Sequence, residues 1–350
     1  MHGVFLALLL PLLQVAPGST QDSRPDEGAA ASSNIRGSRY PRVHDDLSVT
    51  FRIKAPDAQK VVFAFFDSQR YPATKGEDGS WTASTKPQAP GFHYYRVFID
   101  GAEVNDPSSE TFYGTGKQAS GIEIPEKGVD YYLPRDVPQG EIRERWYFSK
   151  TTEAWRRIFV YTPPGYDADR DARFPVLYLQ HGGGEDERGW PNQGRVGFIM
   201  DNLIAAKKAK PMLVVMEQGY ARRPGDAAPS PGPPRAAAPG QAPSPRPDIS
   251  RMFSAFDDVM VKDLIPMIDA TYRTKPDREH RAMAGLSMGG MQTFQITLKH
   301  LDLFASIGGF SGGGGGFGGG EFDPKTAHGG VMADPDAFNK KVRVLWLGIG

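Results

Sequence analysis

The sequence predicts two units in series: an all-β sandwich and, after it, a mostly parallel β-sheet with helices on both faces. Residues 47–105 contain short segments in which apolar and polar residues alternate, with turn dipeptides between them and no helical periodicity. From residue 157 onward, short apolar segments alternate with segments of helical spacing. That alternation is typical of a parallel sheet that is covered on both faces.

The first unit is predicted from period-two patterns. Its first strand has apolar residues at alternating positions, namely Leu47, Val49, Phe51 and Ile53. Further strands are predicted over 60–66, 80–83, 92–99 and 102–105. Asp78-Gly79 and Asp100-Gly101 are turn signals between neighbouring strands. We therefore expect a β-sandwich over residues 39–130.

The second unit begins after a connector rich in Pro and Gly over 125–140. Its strands are predicted over 157–161, 175–180, 212–216, 281–284, 303–307 and 342–349. Its helices are predicted over 196–206, 253–272 and 288–299, and Pro266 should kink or restart the second of these. We place this domain at residues 141–350.

The N-terminus has the pattern of an export signal. Residues 4–13 form an apolar run that is too short to span a bilayer, and small residues follow at Ala16-Pro17-Gly18. We expect a signal peptide over 1–18 and a disordered, polar lead-in over 19–38. The mature protein would then be secreted or periplasmic and would not remain in the membrane.

Two low-complexity insertions interrupt the second unit. Residues 222–247 are rich in Pro, Ala and Gly, and residues 311–320 are nearly all Gly. Both follow the carboxyl ends of predicted parallel strands, the edge at which open α/β sheets bind ligands. They are predicted to lie on the rim of any active site, or to be spacers without a role.

Composition excludes several classes of function. Lys plus Arg and Asp plus Glu both number 41, so the chain lacks the basic excess that is usual in nucleic-acid binders. The chain has no Cys, which excludes disulfides, thiolate catalysis and Cys-ligated zinc.

The segment 285–290, Gly-Leu-Ser-Met-Gly-Gly, lies between a predicted strand and a predicted helix. This is the context of a nucleophile elbow, in which flanking glycines allow a tight turn and the serine projects at the strand end. The hydroxyl of Ser287 would lie at the positive end of the following helix. The alternative is a Gly-Ser turn before a core helix.

A second glycine-rich segment, His181-Gly182-Gly183-Gly184, follows its own strand. Backbone N–H groups of such a loop can form an oxyanion hole together with the N–H of Met288. The alternative is an ordinary turn. His181 is predicted to brace this loop rather than to act as a catalytic base.

With these motifs, the chain from about Glu141 onward resembles an exported α/β-hydrolase esterase family. That family includes feruloyl esterases, acetylxylan esterases and enterochelin esterases. The resemblance also covers Phe159 to Tyr166 and Leu264 to Arg273, and the front unit resembles the immunoglobulin-like early-set modules of such esterases. It implies that Ser287 is the nucleophile, that Gly183 and Met288 supply the oxyanion N–H groups, and that Trp190 lies near the acyl pocket. It implies no cofactor and no metal.

The sequence departs from the family pattern in one respect. In the family, the catalytic acid follows the strand matched by 342–349, and the His lies further on, so both are expected beyond Gly350. We therefore expect the hydrolase domain to be incomplete at its C-terminus and its activity to be impaired. Asp323, Asp334 or Asp336 with His328 is the in-chain alternative.

The resemblance implies a serine ester hydrolase that acts on feruloyl or acetyl groups of plant cell-wall xylan. The expected partner is therefore an ester-substituted carbohydrate or another small ester. Two alternatives stay open: a non-catalytic carbohydrate-binding or inactive fragment, and a siderophore esterase of the enterochelin type.

Overall fold

The structure, a computed structural model, describes residues 28–66, 69–226, 249–312 and 323–349. The predicted signal peptide, residues 19–27 of the predicted lead-in and most of both insertions lie outside these ranges. Among the described residues, no helix is long and apolar enough to cross a membrane.

The N-terminal part is built from short antiparallel strands. They are β1 Ala29–Ala30, β2 Arg42–Val43, β3 Val49–Lys54, β4 Val61–Phe65, β5 Arg70–Pro72, β6 Thr74–Lys75, β7 Ser80–Ser84, β8 Gly91–Ile99, β9 Ala102–Val104, β10 Thr111–Gly114 and β11 Lys117–Ile124. Within the described residues they form two sheets, β1-β2-β3-β7-β6 and β10-β11-β8-β4-β5, with β9 paired to β8. The sheets enclose a common apolar core, in which the rings of Phe51 and Phe63 stack with centroids 4.8 Å apart.

The expectation of a disordered lead-in is wrong for residues 28–38. β1 pairs with β2, and the backbone on either side of Asn34 is held by residues far along the chain. The N–H of Ile35 donates to the carbonyl of Ser108 at 2.9 Å, and the N–H of Glu110 donates to the carbonyl of Ser33 at 2.8 Å. A polar, small-residue segment is therefore ordered by backbone pairing that its own composition does not reveal.

The second part is a mixed sheet with helices on both faces. Its strands are β12 Glu141–Ser149, β13 Ala154–Thr162, β14 Val176–Gln180, β15 Leu213–Glu217, β16 Arg281–Leu286, β17 Ser306–Phe310 and β18 Val344–Gly348. Its α-helices are α1 Val196–Ala205, α2 Ile249–Asp258, α3 Ile265–Thr271, α4 Met288–Lys299 and α5 Pro335–Lys341. Short 3-10 segments lie at Arg278–His280 and Ala327–Gly330.

The sheet order among the described residues is β12-β13-β15-β14-β16-β17-β18. The five strands from β15 to β18 in this order run parallel, and β12 and β13 are antiparallel additions at one edge. Helix α1 packs on one face, while α2, α3 and α4 pack on the other. The predicted fold class, a β-rich unit followed by an α/β-hydrolase sheet, is confirmed. The immunoglobulin-like topology of the front unit stays a prediction.

Several elements differ from the sequence prediction, which did not include the short strands β1, β2, β5 and β6, the strands β10 and β11, or helix α5. Strand β12 was not predicted, because it lies at the sheet edge and most of its side chains are exposed and polar or aromatic. The predicted helix 253–272 is divided into α2, a π-helical segment Val259–Leu264 and α3, with Pro266 in the first turn of α3. Strand β17 begins at Ser306 rather than Leu303, because residues 301–303 form a turn after α4.

Candidate active site

Ser287 lies in the sharp connection between β16 and α4. Its backbone has φ 51° and ψ −108°, a conformation that non-glycine residues rarely adopt. The strain is sustained by backbone hydrogen bonds on both sides. The N–H of Ser287 donates to the carbonyl of Phe310 at 2.8 Å, and its carbonyl accepts from the N–H of Met291 at 3.1 Å. The side chain is half-buried at the carboxyl end of the sheet.

Two glycines make this turn possible. A Cβ at Gly285 would lie 2.3 Å from the backbone carbonyl carbon of Gly289, and a Cβ at Gly289 would lie 2.6 Å from the carbonyl oxygen of His181. Real Cβ atoms do not approach backbone this closely, so both positions require glycine. The glycine spacing that predicted the elbow thus reflects backbone packing against backbone.

Residues 181–186, the oxyanion loop, lie beside the elbow because β14 pairs in parallel with β16. In that pairing Gln180 is opposite Gly285. A Cβ at Gly183 would lie 3.8 Å from the Cβ of Met288, so the two predicted oxyanion residues are neighbours. Gly183 is exposed, and Met288 is the first residue of α4. Within the described residues, neither N–H donates a hydrogen bond to the protein.

The side chains of His181 and Tyr220 hold the loop against the segment that follows β15. His181 is 2% exposed, and its Nε2 lies 2.7 Å from the carbonyl oxygen of Gln218. Its Nδ1 lies 2.8 Å from the carbonyl oxygen of Gly182. Both ring nitrogens therefore face backbone acceptors, which is the arrangement of a brace and not of a base at Ser287. The N–H of Gly184 donates to the hydroxyl of Tyr220 at 2.7 Å.

A buried ion pair supports the same sheet edge. Glu217 ends β15, has no exposed surface and accepts from the Arg156 Nε at 2.6 Å. Its second oxygen accepts from the N–H of Gly219 at 2.7 Å. Burial, followed by the charge of Glu217, raises the pKa of the Tyr147 hydroxyl, which donates to the same carboxylate at 3.3 Å. Sequence analysis missed this group, although a carboxylate at the end of an apolar strand was the available signal.

Trp190 is half-buried near the elbow. Its indole N–H donates to the carbonyl of Gln180 at 2.9 Å, and its ring centroid lies 6.3 Å from that of Phe310. The carbonyl of Phe310 also accepts from the N–H of Ser287. Trp190 is therefore linked to the predicted nucleophile through Phe310. Its contribution to an acyl pocket stays a prediction.

No described side chain forms a hydrogen bond with the Ser287 hydroxyl. His280 and His300 face Asp277 and Asp257, each at 2.8 Å. His328 lies in the 3-10 segment that packs on α4, without a hydrogen bond to Ser287.

The predicted acidic substitutes belong to local turns. Asp323 accepts from the N–H of Lys325 and from the Thr326 hydroxyl, both at 2.9 Å. Asp334 caps α5, and Asp336 lies in the first turn of that helix. The described residues thus bring together Ser287, Gly183 and Met288, but they do not add a histidine–acid pair.

The arrangement places the Ser287 hydroxyl beside two N–H groups that have no acceptor among the described residues. A helix N-terminus adds its partial positive charge at the same place. Among the described residues, no group of three His, Asp or Glu side chains is placed to hold a metal ion. Donors so placed could stabilise an anion that forms beside the hydroxyl, while a general base for the hydroxyl is not among the described residues.

Comparison with protein families decides the family of this chain. The family described as "Putative esterase" matches residues 149–336, more than half of the sequence. The chain belongs to this esterase family. The match includes the elbow, the oxyanion loop and strands β14 to β17.

Relatives of the esterase chain agree with this assignment. The endo-1,4-beta-xylanase/feruloyl esterase of Xylanibacter ruminicola is 40% identical over 80% of this chain and 37% of its own length. The endo-1,4-beta-xylanase Y of Acetivibrio thermocellus is 26% identical over 50% of this chain and 14% of its own length. The esterase chain therefore spans well under half the length of these curated relatives.

Solved structures show the same fold. The enterobactin esterase of Shigella flexneri, solved in the presence of 2,3-di-hydroxy-N-benzoyl-serine, has a TM-score of 0.58 at 14% identity. The alignment covers 87% of the esterase chain and 88% of that chain. It therefore includes the β-rich unit as well as the hydrolase sheet.

Proposed function

We propose that the chain hydrolyses carboxylic esters, with Ser287 as the nucleophile and the N–H groups of Gly183 and Met288 as the oxyanion hole. The observation that carries the proposal is the elbow itself. A strained serine stands at the N-terminus of α4, and two N–H groups without a described acceptor lie next to it. Membership of the esterase family supports the same reaction class.

In the proposed reaction, the Ser287 Oγ attacks the ester carbonyl carbon and the carbonyl oxygen becomes an anion. The two N–H groups and the positive end of α4 stabilise this anion. The Ser287 hydroxyl gives its proton to water or another external base as it attacks, and the leaving oxygen takes up a proton when the tetrahedral intermediate collapses to the alcohol and an acyl-Ser287 ester. Water then adds to this ester, which releases the carboxylic acid and restores the Ser287 hydroxyl. In other serine hydrolases, removal of a single oxyanion donor lowers kcat by about 10²–10³-fold.

Ser287 needs a general base for fast turnover, and no histidine in the described part of the chain reaches its hydroxyl. Serine hydrolases that lack one triad member retain roughly 10³–10⁴-fold acceleration over water through the oxyanion hole and binding. We therefore expect these residues alone to support only slow hydrolysis.

For the substrate, we propose feruloyl or acetyl esters of xylan. Support comes from the xylanase/feruloyl esterase relative, which is 40% identical over most of this chain. The apolar N-terminal run supports export, which would bring the enzyme to cell-wall polysaccharides. Trp190 and Phe310 are the described aromatic side chains beside the elbow that could contact an aromatic acyl group.

The substrate class is tested by comparing kcat/KM for feruloylated xylo-oligosaccharide, acetylated xylo-oligosaccharide and a 2,3-dihydroxybenzoyl-serine ester. We expect one of the xylan esters to be cleaved fastest. Preference for the siderophore-type ester would contradict the substrate. Failure to cleave any of the three faster than a Ser287→Ala variant would contradict the reaction.

A further inference from the structure

The oxyanion loop is tied to the β-rich unit by a single carboxylate. Tyr94, in the middle of β8, donates its hydroxyl hydrogen to Glu185 Oε1 at 2.7 Å. The other oxygen of that carboxylate, Oε2, accepts from the N–H of Gly182 at 3.1 Å. A side chain of the front unit is therefore two hydrogen bonds away from the residue that precedes Gly183.

A second contact fixes the far side of the same loop. The N–H of Gly116, in the turn between β10 and β11, donates to the carbonyl of Gly184 at 2.7 Å. Gly184 has φ +83°, and a Cβ there would lie 3.0 Å from the Cα of Thr115. The β-rich unit thus contacts the loop directly at Gly184 and Glu185, and it reaches Gly182, before Gly183, through the Glu185 carboxylate.

We propose that Tyr94 is a positioning residue for the oxyanion hole: through Glu185 it fixes the backbone of Gly182–Gly184 and hence the place of the Gly183 N–H. The hydrogen bonds to the loop do not depend on any function, whereas their effect on catalysis rests on the proposed function. The β-rich unit then helps to position an active-site residue that lies in the other unit.

The hydrogen bonds around Tyr94 have a defined direction. Gln193 donates from Nε2 to the Tyr94 hydroxyl at 2.7 Å, so the hydroxyl accepts from Gln193 and donates to Glu185. Burial and then the neighbouring Glu185 carboxylate raise the pKa of Tyr94, so this hydroxyl keeps its proton at neutral pH. A hydrogen bond to a carboxylate is roughly twice as strong as one between neutral groups.

Small displacements of the loop should lower kcat, because an N–H donor stabilises the oxyanion only when it lies at hydrogen-bonding distance from it. Catalytic groups must be held within about 0.5 Å of the productive geometry. Loss of the Tyr94 hydroxyl removes one of the two hydrogen bonds that hold the Glu185 carboxylate. The carboxylate can then turn toward solvent and release the N–H of Gly182.

Docking of the two units does not depend on Tyr94 alone. Arg195, just before α1, pairs with Glu123 of β11 at 2.5 Å. Its guanidinium also lies 5.7 Å from the ring centroid of Tyr132. A Tyr94→Phe variant keeps these contacts and its own aromatic ring, so it should fold and dock normally.

The test compares Tyr94→Phe with Tyr71→Phe. Tyr71, in β5 of the same unit, loses a hydroxyl whose hydrogen-bond partners among the described residues are Gln69 and Gln88, both within the β-rich unit. Amide hydrogen exchange of a peptide containing 181–186 is measured in both variants and in the unaltered chain, together with kcat and KM for a small aryl ester.

We expect Tyr94→Phe to raise exchange in 181–186 severalfold and to lower kcat about tenfold with KM unchanged, in line with the cost of misplacing one donor. Tyr71→Phe should change neither. Glu185→Gln should restore most of the activity lost in Glu185→Ala, because an amide oxygen still accepts from Gly182 and its NH₂ can donate to Tyr94.

Unchanged exchange in Tyr94→Phe would overturn the proposal, as would faster exchange with an unaltered kcat. If the unaltered chain cleaves no ester at all, the proposed function fails while the exchange measurement still decides whether Tyr94 fixes the loop.

Discussion

Gly289 is the residue at which the elbow and the oxyanion loop come closest. A Cβ there would lie 2.6 Å from the carbonyl oxygen of His181 and 2.7 Å from the Cβ of Gln180. Since all of these atoms belong to backbone or to a buried side chain, the strand end and the helix would have to separate to admit it. The same displacement would move His181 and, with it, the start of the oxyanion loop.

We predict that Gly289→Ala lowers the free energy of unfolding by about 1–3 kcal/mol, the usual cost of overpacking, and lowers kcat more than tenfold. Gly197→Ala in α1 is the matched control. A Cβ at Gly197 would meet only Ile142, at 3.8 Å, an ordinary contact. Thermal unfolding and ester hydrolysis of both variants check this, and equal behaviour of the two would refute the packing argument.

At the scale of elements, β13 and the carboxyl end of β15 are joined by the buried Arg156–Glu217 pair. Arg156 is 6% exposed and Glu217 is fully buried, so each charge depends on the other. The carboxylate also holds the N–H of Gly219, in the segment that contains Gln218, the backbone acceptor for His181.

Arg156→Met should therefore cost about 3–5 kcal/mol of stability, because it leaves an uncompensated buried carboxylate. Arg52→Met is the comparison, since Arg52 pairs with Asp78 at 2.6 Å while both side chains stay largely solvent-exposed. Chemical denaturation should show a large loss for the first variant and almost none for the second. Similar losses in both would mean that burial does not set the strength of these pairs.

Short sequence patterns predicted the elbow with its strand and helix, because the residues that determine this turn are close together in the chain. The strand–Ser287–helix context and the glycines around it lie within six residues, and the structure has the turn where the pattern predicted it. Strand β12 carries no such pattern, since it is an exposed edge. Contacts such as Tyr94 to Glu185 join residues 91 positions apart, and no short-range pattern encodes them.

At the scale of the whole molecule, β18 is the outermost strand of the described sheet, and no other described strand pairs with its outer side. It pairs on one side with β17, and its apolar side chains are open to solvent, with Trp346 58% and Leu347 63% exposed. Unpaired edges with apolar faces are templates for association with another chain.

We expect the 350-residue chain to self-associate as its concentration rises, and Leu347→Lys to reduce this without changing the thermal midpoint. Leu303→Lys is unsuitable as a control because that side chain packs against the core. Lys208→Gln, a charge change at an exposed position after α1, serves as the control. Light scattering across a concentration series measures the association, and no difference between Leu347→Lys and the unaltered chain would show that β18 is not responsible.

The front unit contacts the second sheet at the oxyanion loop, so both units contribute to the geometry around Ser287. Residue patterns predicted Ser287, Gly183 and Met288, while the groups that hold them, including Glu217 and Tyr94, depend on tertiary contacts. Neither the sequence motifs nor the described residues provide a general base for Ser287.

The most direct test of Ser287 is chemical rescue. Hydrolysis of p-nitrophenyl acetate is followed for the unaltered chain and for Ser287→Ala, with and without added imidazole as an external base. We predict that imidazole accelerates the unaltered chain well above the rate of imidazole in buffer, and that Ser287→Ala shows only the buffer rate. Equal hydrolysis by the two proteins, with and without imidazole, would contradict the assignment of Ser287 as the nucleophile.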